Sequence, residues 1–254
     1  MKKIFRFFLG KKHGQSFFQL LFRFALKGMN FGGGSNYQDS GEEWVLKYIA
    51  KQTANQAMVV FDVGANVGSY ARLVSKILPQ AKIFSFEPAQ ETFLALQNSI
   101  KELKNVEGFN FGFGKSLGKV VLYSNSSASG LSSVYNREGL NLNNQEEIEI
   151  QTLDNFCEQH NISQIDFLKL DVEGNEYQVL EGAKNLLKGN NIKFIQFEFG
   201  GTDIDARVFF RDFYNLLSPQ FQIFRILKNG LHPILEYKET EEIFITTNYL
   251  AVLK

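Results

Sequence analysis

Short apolar runs alternate with amphipathic segments along most of the chain. Seven of the runs have the length and residue types of core strands. They lie at residues 59–63, 81–86, 106–113, 165–170, 192–199, 221–227 and 248–253. Helical spacing of apolar residues occurs at 41–52 before the first strand, after the strands that end at 63, 86 and 170, and at 152–160, and the last helix is predicted over 205–217. Strands that alternate with helices predict an α/β domain with a mostly parallel sheet and right-handed crossovers.

Two further strands are predicted outside this core, at 118–123 and at 146–150, where polar and apolar residues alternate. The segment 124–133 between them is rich in Ser, Asn, Ala and Gly and has too few apolar residues to form core. It is interpreted either as a flexible loop near a ligand or as a plain surface loop. Residues 231–237 are interpreted as part of an insertion.

The first strand ends in a turn of small residues, in which Asp62, Gly64, Asn66 and Gly68 alternate with apolar residues. Glycine has no Cβ and tolerates positive φ, so such a turn lets a ligand approach the backbone closely. Asn66 takes the middle position, and Asn enters the left-handed region more readily than most residues. A purely structural corner between strand and helix has the same pattern, so the turn alone does not define a function.

Glu87 follows the second strand and lies roughly twenty residues beyond the glycine turn, the spacing of the ribose-binding acid in dinucleotide-binding folds. A carboxylate there accepts hydrogen bonds from a ribose diol. Pro88 suits the first turn of the next helix, where its missing N–H is not needed. The alternative for Glu87 is a charge that the helix dipole favours. Turn and acid together favour a nucleoside cofactor.

Carboxylates stand at the carboxyl ends of several predicted strands. They are Asp62, Glu87, Asp171, Glu173 and Glu198. Ligands of open α/β sheets bind at these strand ends. Because an isolated buried carboxylate is unfavourable, convergence of five from separate parts of the chain indicates a functional site.

The composition limits the size of the domain and the kinds of site that the chain can form. The chain of 254 residues is long enough for one large α/β domain, and most of its 26 Phe residues are expected in the core. Its one cysteine, Cys157, excludes an intramolecular disulfide framework and a multi-thiolate zinc site. A reducing compartment is compatible with this, and the expected location is the cytoplasm.

The charge is uneven. Residues 1–30 have seven Lys or Arg and no acid, which leaves 20 basic and 27 acidic residues, a net charge of −7, for the rest. We therefore divide the chain into a basic amphipathic arm, 1–36, and a domain, 37–254, with 32–35 as the hinge. No signal peptide or membrane-spanning run is expected. The arm is interpreted either as a helix packed on the domain or on a second subunit, or as a peripheral contact with the inner face of the membrane.

Three segments together resemble the FkbM family of S-adenosylmethionine-dependent methyltransferases. They are 61–68, Phe86-Glu87-Pro88, and 167–176 with the following Val179-Leu180-Glu181-Gly182-Ala183. The resemblance covers roughly residues 40–200, and the Asp171-Val172-Glu173-Gly174 element is its most specific part. It implies a class I methyltransferase (Rossmann-like) fold, with a seven-stranded mostly parallel sheet, its last strand antiparallel, and helices on both faces. It also implies methyl transfer, usually to a hydroxyl oxygen of a sugar, glycan or natural product.

The resemblance implies roles for these residues. Asp62, Gly64, Asn66 and Gly68 would line the methionine end of S-adenosyl-L-methionine, Glu87 would hold the ribose, and Asn110 with its neighbours to 114 would lie near the adenine.

A hydroxyl acceptor loses its proton as the new bond forms. Asp171 is the first choice of base, with Glu173 and Glu198 in support. If a divalent cation is required, the same three carboxylates are suitable hard oxygen ligands.

Three rival functions remain open. An NAD-dependent oxidoreductase shares the glycine turn and the ribose carboxylate, although Asp62 and the 171–174 element favour the methyltransferase. A nucleic-acid modifier lacks support, since the domain is acidic and would repel phosphate, so no nucleic-acid partner is expected. A non-catalytic cofactor-binding module would have little use for carboxylates at several strand ends.

Overall fold

The computed structural model describes residues 9–33, 36–54, 56–125, 132–136 and 142–254. Its strands alternate with helices, as the apolar pattern predicts. The strands are β1 Val59–Val63, β2 Lys82–Phe86, β3 Val106–Phe109, β4 Gly112–Phe113, β5 Gly118–Ser124, β6 Asn144–Gln151, β7 Ile165–Leu170, β8 Ile192–Phe199, β9 Phe221–Leu227, β10 Gly230–Ile234 and β11 Thr247–Leu253.

The central sheet has the strand order β10-β9-β11-β8-β7-β1-β2-β3. Strands β3, β2, β1, β7 and β8 pair in parallel, whereas β11 is antiparallel to both of its neighbours. The mostly parallel sheet and its antiparallel last strand are confirmed. The expected number of seven strands is wrong, because β10 adds an eighth. Gly230 pairs with Leu227, so a two-residue turn folds the supposed insertion back onto β9 as an edge strand.

The predicted strand 106–113 is in fact two strands in two sheets. β3 ends the central sheet, and β4 pairs in parallel with β6 of a three-stranded sheet, β4-β6-β5. The chain turns between them at Asn110, whose side-chain amide donates to the carbonyl oxygens of Glu87 and Pro88 at 3.0 and 2.9 Å. The chain therefore leaves the central sheet after Phe109. The two added strands predicted at 118–123 and 146–150 are confirmed in the second sheet.

The helices are α1 Gln15–Gly28, α2 Tyr37–Ser40, α3 Glu42–Gln52, α4 Ser69–Ile77, α5 Gln90–Ile100, α6 Leu153–Gln159, α7 Glu176–Glu181, α8 Lys184–Lys188, α9 Thr202–Ala206 and α10 Phe210–Leu217, with 3-10 turns at Lys12–Gly14 and Glu239–Glu241. The helix predicted over 205–217 is interrupted, since Arg207 adopts a left-handed conformation with φ of 56°. The side chain of Asp212 then accepts from the N–H of Phe209, and α10 begins at Phe210.

Phenylalanine forms much of the core, as its abundance predicts. Phe61, Phe84, Phe86, Phe113 and Phe156 are almost fully buried. The ring centroids of Phe86 and Phe113 are 4.6 Å apart, and those of Phe86 and Phe156 are 5.0 Å apart, both edge to face. Such pairs are favourable beyond the area that they bury. They fix the ends of β2 and β4 against α6, close to the turn that carries Glu87.

The described part of the basic arm contains the 3-10 turn at Lys12–Gly14 and then helix α1. Most side chains of α1 are exposed. Among the described residues, no helix has the length and hydropathy that crossing a bilayer requires. Residues 34–35 of the proposed hinge and 126–131 of the proposed loop lie outside the described residues, so neither interpretation is tested there.

Candidate active site

The turn after β1 has the backbone that its sequence predicts. Gly64, Asn66 and Gly68 all have positive φ, at 82°, 47° and 84°. A Cβ on Gly64 would lie only 1.8 Å from the carbonyl oxygen of Asp171, so this position requires glycine for space as well as for conformation. The N–H groups of Gly64 and Ala65 both donate to the carbonyl oxygen of Phe86, at 3.0 and 2.9 Å. The turn is therefore fixed to the end of β2.

Glu87 lies directly beside this turn. Its Oε2 accepts from the N–H of Asn66 and its Oε1 from the N–H of Ala89, each at 3.0 Å. The side chain is buried, and burial raises the pKa of this carboxyl to about 7 despite those two hydrogen bonds. Both oxygens are thus fixed in place, and each keeps further acceptor capacity. The predicted carboxylate is positioned to accept hydroxyl hydrogen bonds.

Asn110 lies behind Glu87. It does not belong to the described residues that line the cavity, and its amide instead holds the carbonyl oxygens of Glu87 and Pro88. The structure therefore gives Asn110 a position from which it supports the Glu87 turn.

Asp62 and Asp171 share one buried cation that the sequence analysis did not single out. Lys169 Nζ lies 2.9 Å from Asp171 Oδ2 and 3.8 Å from Asp62 Oδ1. Burial alone would lower the pKa of Lys169, but the neighbouring carboxylates outweigh it and raise that pKa. Asp62 is fully buried, burial raises its pKa to about 6, and neither of its oxygens has a hydrogen-bond partner among the described residues.

Glu42 is a second residue that the strand pattern misses. It begins α3, far from the strand ends in sequence, and its carboxylate accepts from Ser40 at 2.8 Å and from Gln196 Nε2 at 2.9 Å. Burial raises its pKa. Tyr37 packs edge to face on Tyr70, with ring centroids 5.4 Å apart. Glu42, Tyr37 and Tyr70 line the cavity that Glu87 also lines.

The 171–174 element forms a strained turn at the end of β7. Glu173 has φ of 52° and Gly174 of 101°. The buried side chain of Glu176 holds this turn, since it accepts from the N–H groups of Val172 and Gly174 at 2.8 and 2.9 Å. Such strain is typical of functional sites.

Glu198 projects from β8 towards the same region. Its pKa is raised well above the ordinary value, first by burial and then by Asp171, Glu176 and Glu173. Asp171, Glu173 and Glu198 all line one cavity of about 740 Å³, together with Glu87, Gly64 and Asn66, whereas Gly68 faces Leu96 and Ile100 of α5. Four of the five predicted strand-end carboxylates therefore surround one cavity, and Asp62 lies beneath it.

The second sheet supplies an apolar wall for this cavity. Leu122 of β5, Ile148 and Ile150 of β6 and Val134 line it together with the carboxylates. A volume of this size is typical of small-molecule sites. The carboxylates suit a polar or positively charged group, and the apolar side chains suit an apolar ring or sugar face.

The expectation of a divalent cation finds no support. Among the described residues, no three His, Cys, Asp or Glu side chains are grouped so that they could hold a metal ion. Asp171, Glu173 and Glu198 share the cavity wall without forming such a cluster.

Comparison with known proteins identifies the family. A model described as the methyltransferase FkbM domain matches residues 62–225, more than half of the chain. The chain belongs to the FkbM methyltransferase family. This confirms the resemblance to that family. The matched range includes the glycine turn, Glu87, Lys169 and the strand-end carboxylates, whereas Glu42 and α1 lie outside it.

Relatives of the chain include proteins named as methyltransferases. Hexuronic acid methyltransferase AglP of Haloferax volcanii is 28% identical over 163 residues, which cover 63% of this chain and 64% of the relative. The 2-O-methyltransferase NoeI of Sinorhizobium fredii is 23% identical, over 68% of this chain and 76% of NoeI. The crystal structure of an FkbM methyltransferase from Methylobacillus flagellatus aligns with a TM-score of 0.47 and 15% identity, over 77% of this chain and 43% of that one. The chain thus spans less than two thirds of AglP and less than half of the solved chain.

Proposed function

We propose that this FkbM methyltransferase transfers a methyl group from S-adenosyl-L-methionine to a hydroxyl oxygen of a sugar, glycan or natural product. The observation that carries the proposal is the carboxylate of Glu87, held by two backbone N–H groups beside the glycine turn and facing a cavity with carboxylates at its far side. A ribose diol and a cationic centre fit these two groups of acceptors.

The residues present fit this cofactor. Gly64 leaves space where any side chain would collide with Asp171, which suits close approach of a ligand to the backbone. Glu42 lines the cavity, and beneath it lies the buried Asp62, whose oxygens have no hydrogen-bond partner among the described residues. Glu42 would hold the ammonium group of the methionine portion, Asp62 would add negative charge from beneath, and Glu87 would hold the ribose. When bound, the cofactor supplies an electrophilic methyl group on a positively charged sulfur.

The protein must then remove the acceptor's proton. Asp171 is the base that the sequence favours, but its carboxylate forms an ion pair with Lys169, with Nζ and Oδ2 2.9 Å apart. Glu198 lines the cavity and has a raised pKa, which makes its ionised carboxylate a stronger proton acceptor. We therefore assign proton removal to Glu198, with Asp171 and Lys169 fixing the charge around it. Glu173 completes the acidic wall.

The acceptor class is inferred from the cavity walls and from the relatives. The apolar side chains of Leu122, Val134 and Ile148 suit the face of a sugar or an apolar ring. AglP and NoeI are named for hexuronic acid and 2-O-methylation. A hydroxyl acceptor is consistent with both observations.

Calorimetric titration with S-adenosylhomocysteine, NAD and NADH tests the cofactor. We expect micromolar binding of S-adenosylhomocysteine alone, lost in Glu87→Gln and kept in Glu107→Gln, whose carboxylate is exposed on β3. Methyl transfer to a panel of sugars, detected by mass spectrometry, then tests the acceptor. Binding of NAD instead would overturn the proposal in favour of an oxidoreductase, and cofactor binding without turnover on any hydroxyl acceptor would favour a non-catalytic module.

A further inference from the structure

Helix α1 exposes an apolar face that the described domain does not cover. Phe17, Leu20, Leu21 and Phe24 follow the i, i+3, i+4, i+7 spacing of one helix face. The exposed fractions are 60% for Phe17, 64% for Leu20 and 75% for Phe24. Large apolar side chains exposed side by side mark an interaction surface.

A neighbouring face, about a quarter turn around the helix axis, is polar and basic. It consists of Ser16, Gln19, Arg23 and Lys27, which are all exposed. Lys11 and Lys12 precede the helix, and no acidic residue occurs before Asp39. The surface is therefore amphipathic with cations of one sign along its polar side.

The carboxyl end of the helix is fixed to the domain. Leu26 and Phe31 are buried, and Arg225 lies over the Phe31 ring at 4.7 Å. The amide of Asn30 donates to the carbonyl oxygens of Ser40 and Ile226, both at 3.1 Å. The apolar face is thus presented from a rigid attachment.

The positive charge of α1 indicates what kind of partner covers its apolar face. A second copy of α1 would offer no negative charge to Arg23 and Lys27, because the helix has no acidic residue. A bilayer with anionic lipids offers negative headgroups to these cations and acyl chains to the Phe and Leu side chains. We propose that α1 lies in the interface of an anionic bilayer, with 17, 20, 21 and 24 inserted and Arg23 and Lys27 at headgroup level.

Docking in this way brings the cavity close to the bilayer. Gly32 lies four residues after the end of α1, a reach of no more than about 14 Å. It lines the cavity, and its N–H donates to the carbonyl oxygen of Thr246, another lining residue, at 3.0 Å. The cavity rim and the inserted helix are therefore parts of one connected surface.

Vesicle flotation of the full chain tests the proposal without reference to catalysis. We expect binding to vesicles of phosphatidylcholine mixed with phosphatidylglycerol, and much weaker binding to phosphatidylcholine alone. Leu20→Glu combined with Phe24→Glu is expected to reduce affinity roughly tenfold or more, because charges replace inserted side chains. Arg23→Gln or Lys27→Gln should each reduce it about fivefold at low salt.

Gln19→Ala on the polar face is the matched control and should bind as the unchanged chain does. Thermal unfolding followed by circular dichroism checks that every variant folds. The absence of binding to anionic vesicles at low ionic strength would overturn the proposal. So would a dimer in sedimentation velocity that Leu20→Glu with Phe24→Glu dissociates while vesicle binding is unchanged, since α1 would then cover a second copy.

Discussion

Lys169 Nζ lies 2.9 Å from Oδ2 of Asp171 and 3.8 Å from Oδ1 of Asp62, so one buried ammonium group serves carboxylates at the ends of two paired strands. The same group lies 4.7 Å above the ring of Tyr70. Removal of this cation would leave two carboxylates next to each other with little compensation. Lys169 therefore connects the stability of the domain to the charge of the cavity.

We expect Lys169→Met to destabilise the protein by about 3 kcal/mol, the lower part of the range for a broken buried pair, because Asp171 is 41% exposed. Urea unfolding at neutral pH measures this. Lys193→Met is the matched control: its Nζ lies 2.7 Å from Asp166, but Lys193 is 47% exposed, so a loss of under about 1 kcal/mol is expected. Equal losses in the two variants would contradict a special role for Lys169.

Gly64→Ala tests the crowding at the glycine turn. Its Cβ would collide with the carbonyl oxygen of Asp171, and φ of 82° is unfavourable for alanine. A destabilisation of roughly 3 kcal/mol or more is expected from clash and strain together, with loss of S-adenosylhomocysteine binding.

Gly118→Ala provides the comparison for this variant, because a Cβ at Gly118 meets no atom within 4 Å. It should leave both unfolding and binding almost unchanged. If Gly64→Ala behaved in the same way, the close approach of the turn to β7 would not matter for the site.

The raised pKa of Glu87 predicts that the stability of the protein depends on pH. This pKa is about 7 in the folded protein against an ordinary 4.5, so between these values the folded state binds more protons than the unfolded state. The contribution of Glu87 to stability is therefore present below pH 4.5 and lost as the pH rises through 7, by roughly 3 kcal/mol at most. In Glu87→Gln the change in unfolding free energy between pH 5 and about pH 8 should be smaller by up to this amount.

Ligand binding should have the opposite dependence. An ionised Glu87 accepts hydroxyl hydrogen bonds best, so the affinity for S-adenosylhomocysteine should rise with pH through about 7 and then level off. Calorimetry over this pH range measures it, with Glu107→Gln as the control for a general charge effect. An affinity that is independent of pH would argue against Glu87 as the ribose acceptor.

Asn110→Ala tests whether the support behind Glu87 matters. Its amide holds the carbonyl oxygens of Glu87 and Pro88, so its loss should weaken S-adenosylhomocysteine binding by about tenfold while turnover at saturation is kept, as expected for a supporting residue. Asn98→Ala, at an exposed position of α5, should bind normally. Unchanged affinity in Asn110→Ala would show that the turn holds its shape without this amide.

The sequence predicts those parts of the site that depend on local spacing. The turn at 64–68 and the acid after β2 follow directly from strand and helix periods, since parallel strands bring their carboxyl ends to one edge. Lys169 and Glu42 do not follow, because each depends on which distant segment packs on it. A lysine inside an apolar strand becomes a site residue only when Asp62 on the paired strand lies beside it.

The two errors in the strands have the same origin. Apolar residues recur along 106–113, and only the hydrogen bonds of Asn110 to the Glu87 turn show that the chain leaves the central sheet there. Likewise, β10 is short and half-exposed, and its pairing with β9 depends on the tight turn at 228–229. Apolar pattern shows that a segment is a strand but does not show to which sheet it belongs.

Glu198→Gln tests the assignment of the base. Since Glu198 must be ionised to accept the acceptor's proton and its pKa is raised, activity should increase with pH as this carboxyl loses its proton. The variant should lose about 10²–10⁴ in kcat, with unchanged affinity for S-adenosylhomocysteine, and its remaining activity should lack that pH dependence. Glu149→Gln, at an exposed position of β6, controls for the loss of one negative charge. A larger loss in Asp171→Asn, with the pH dependence kept in Glu198→Gln, would move the role of base to Asp171 and leave Glu198 as a wall of the acceptor site.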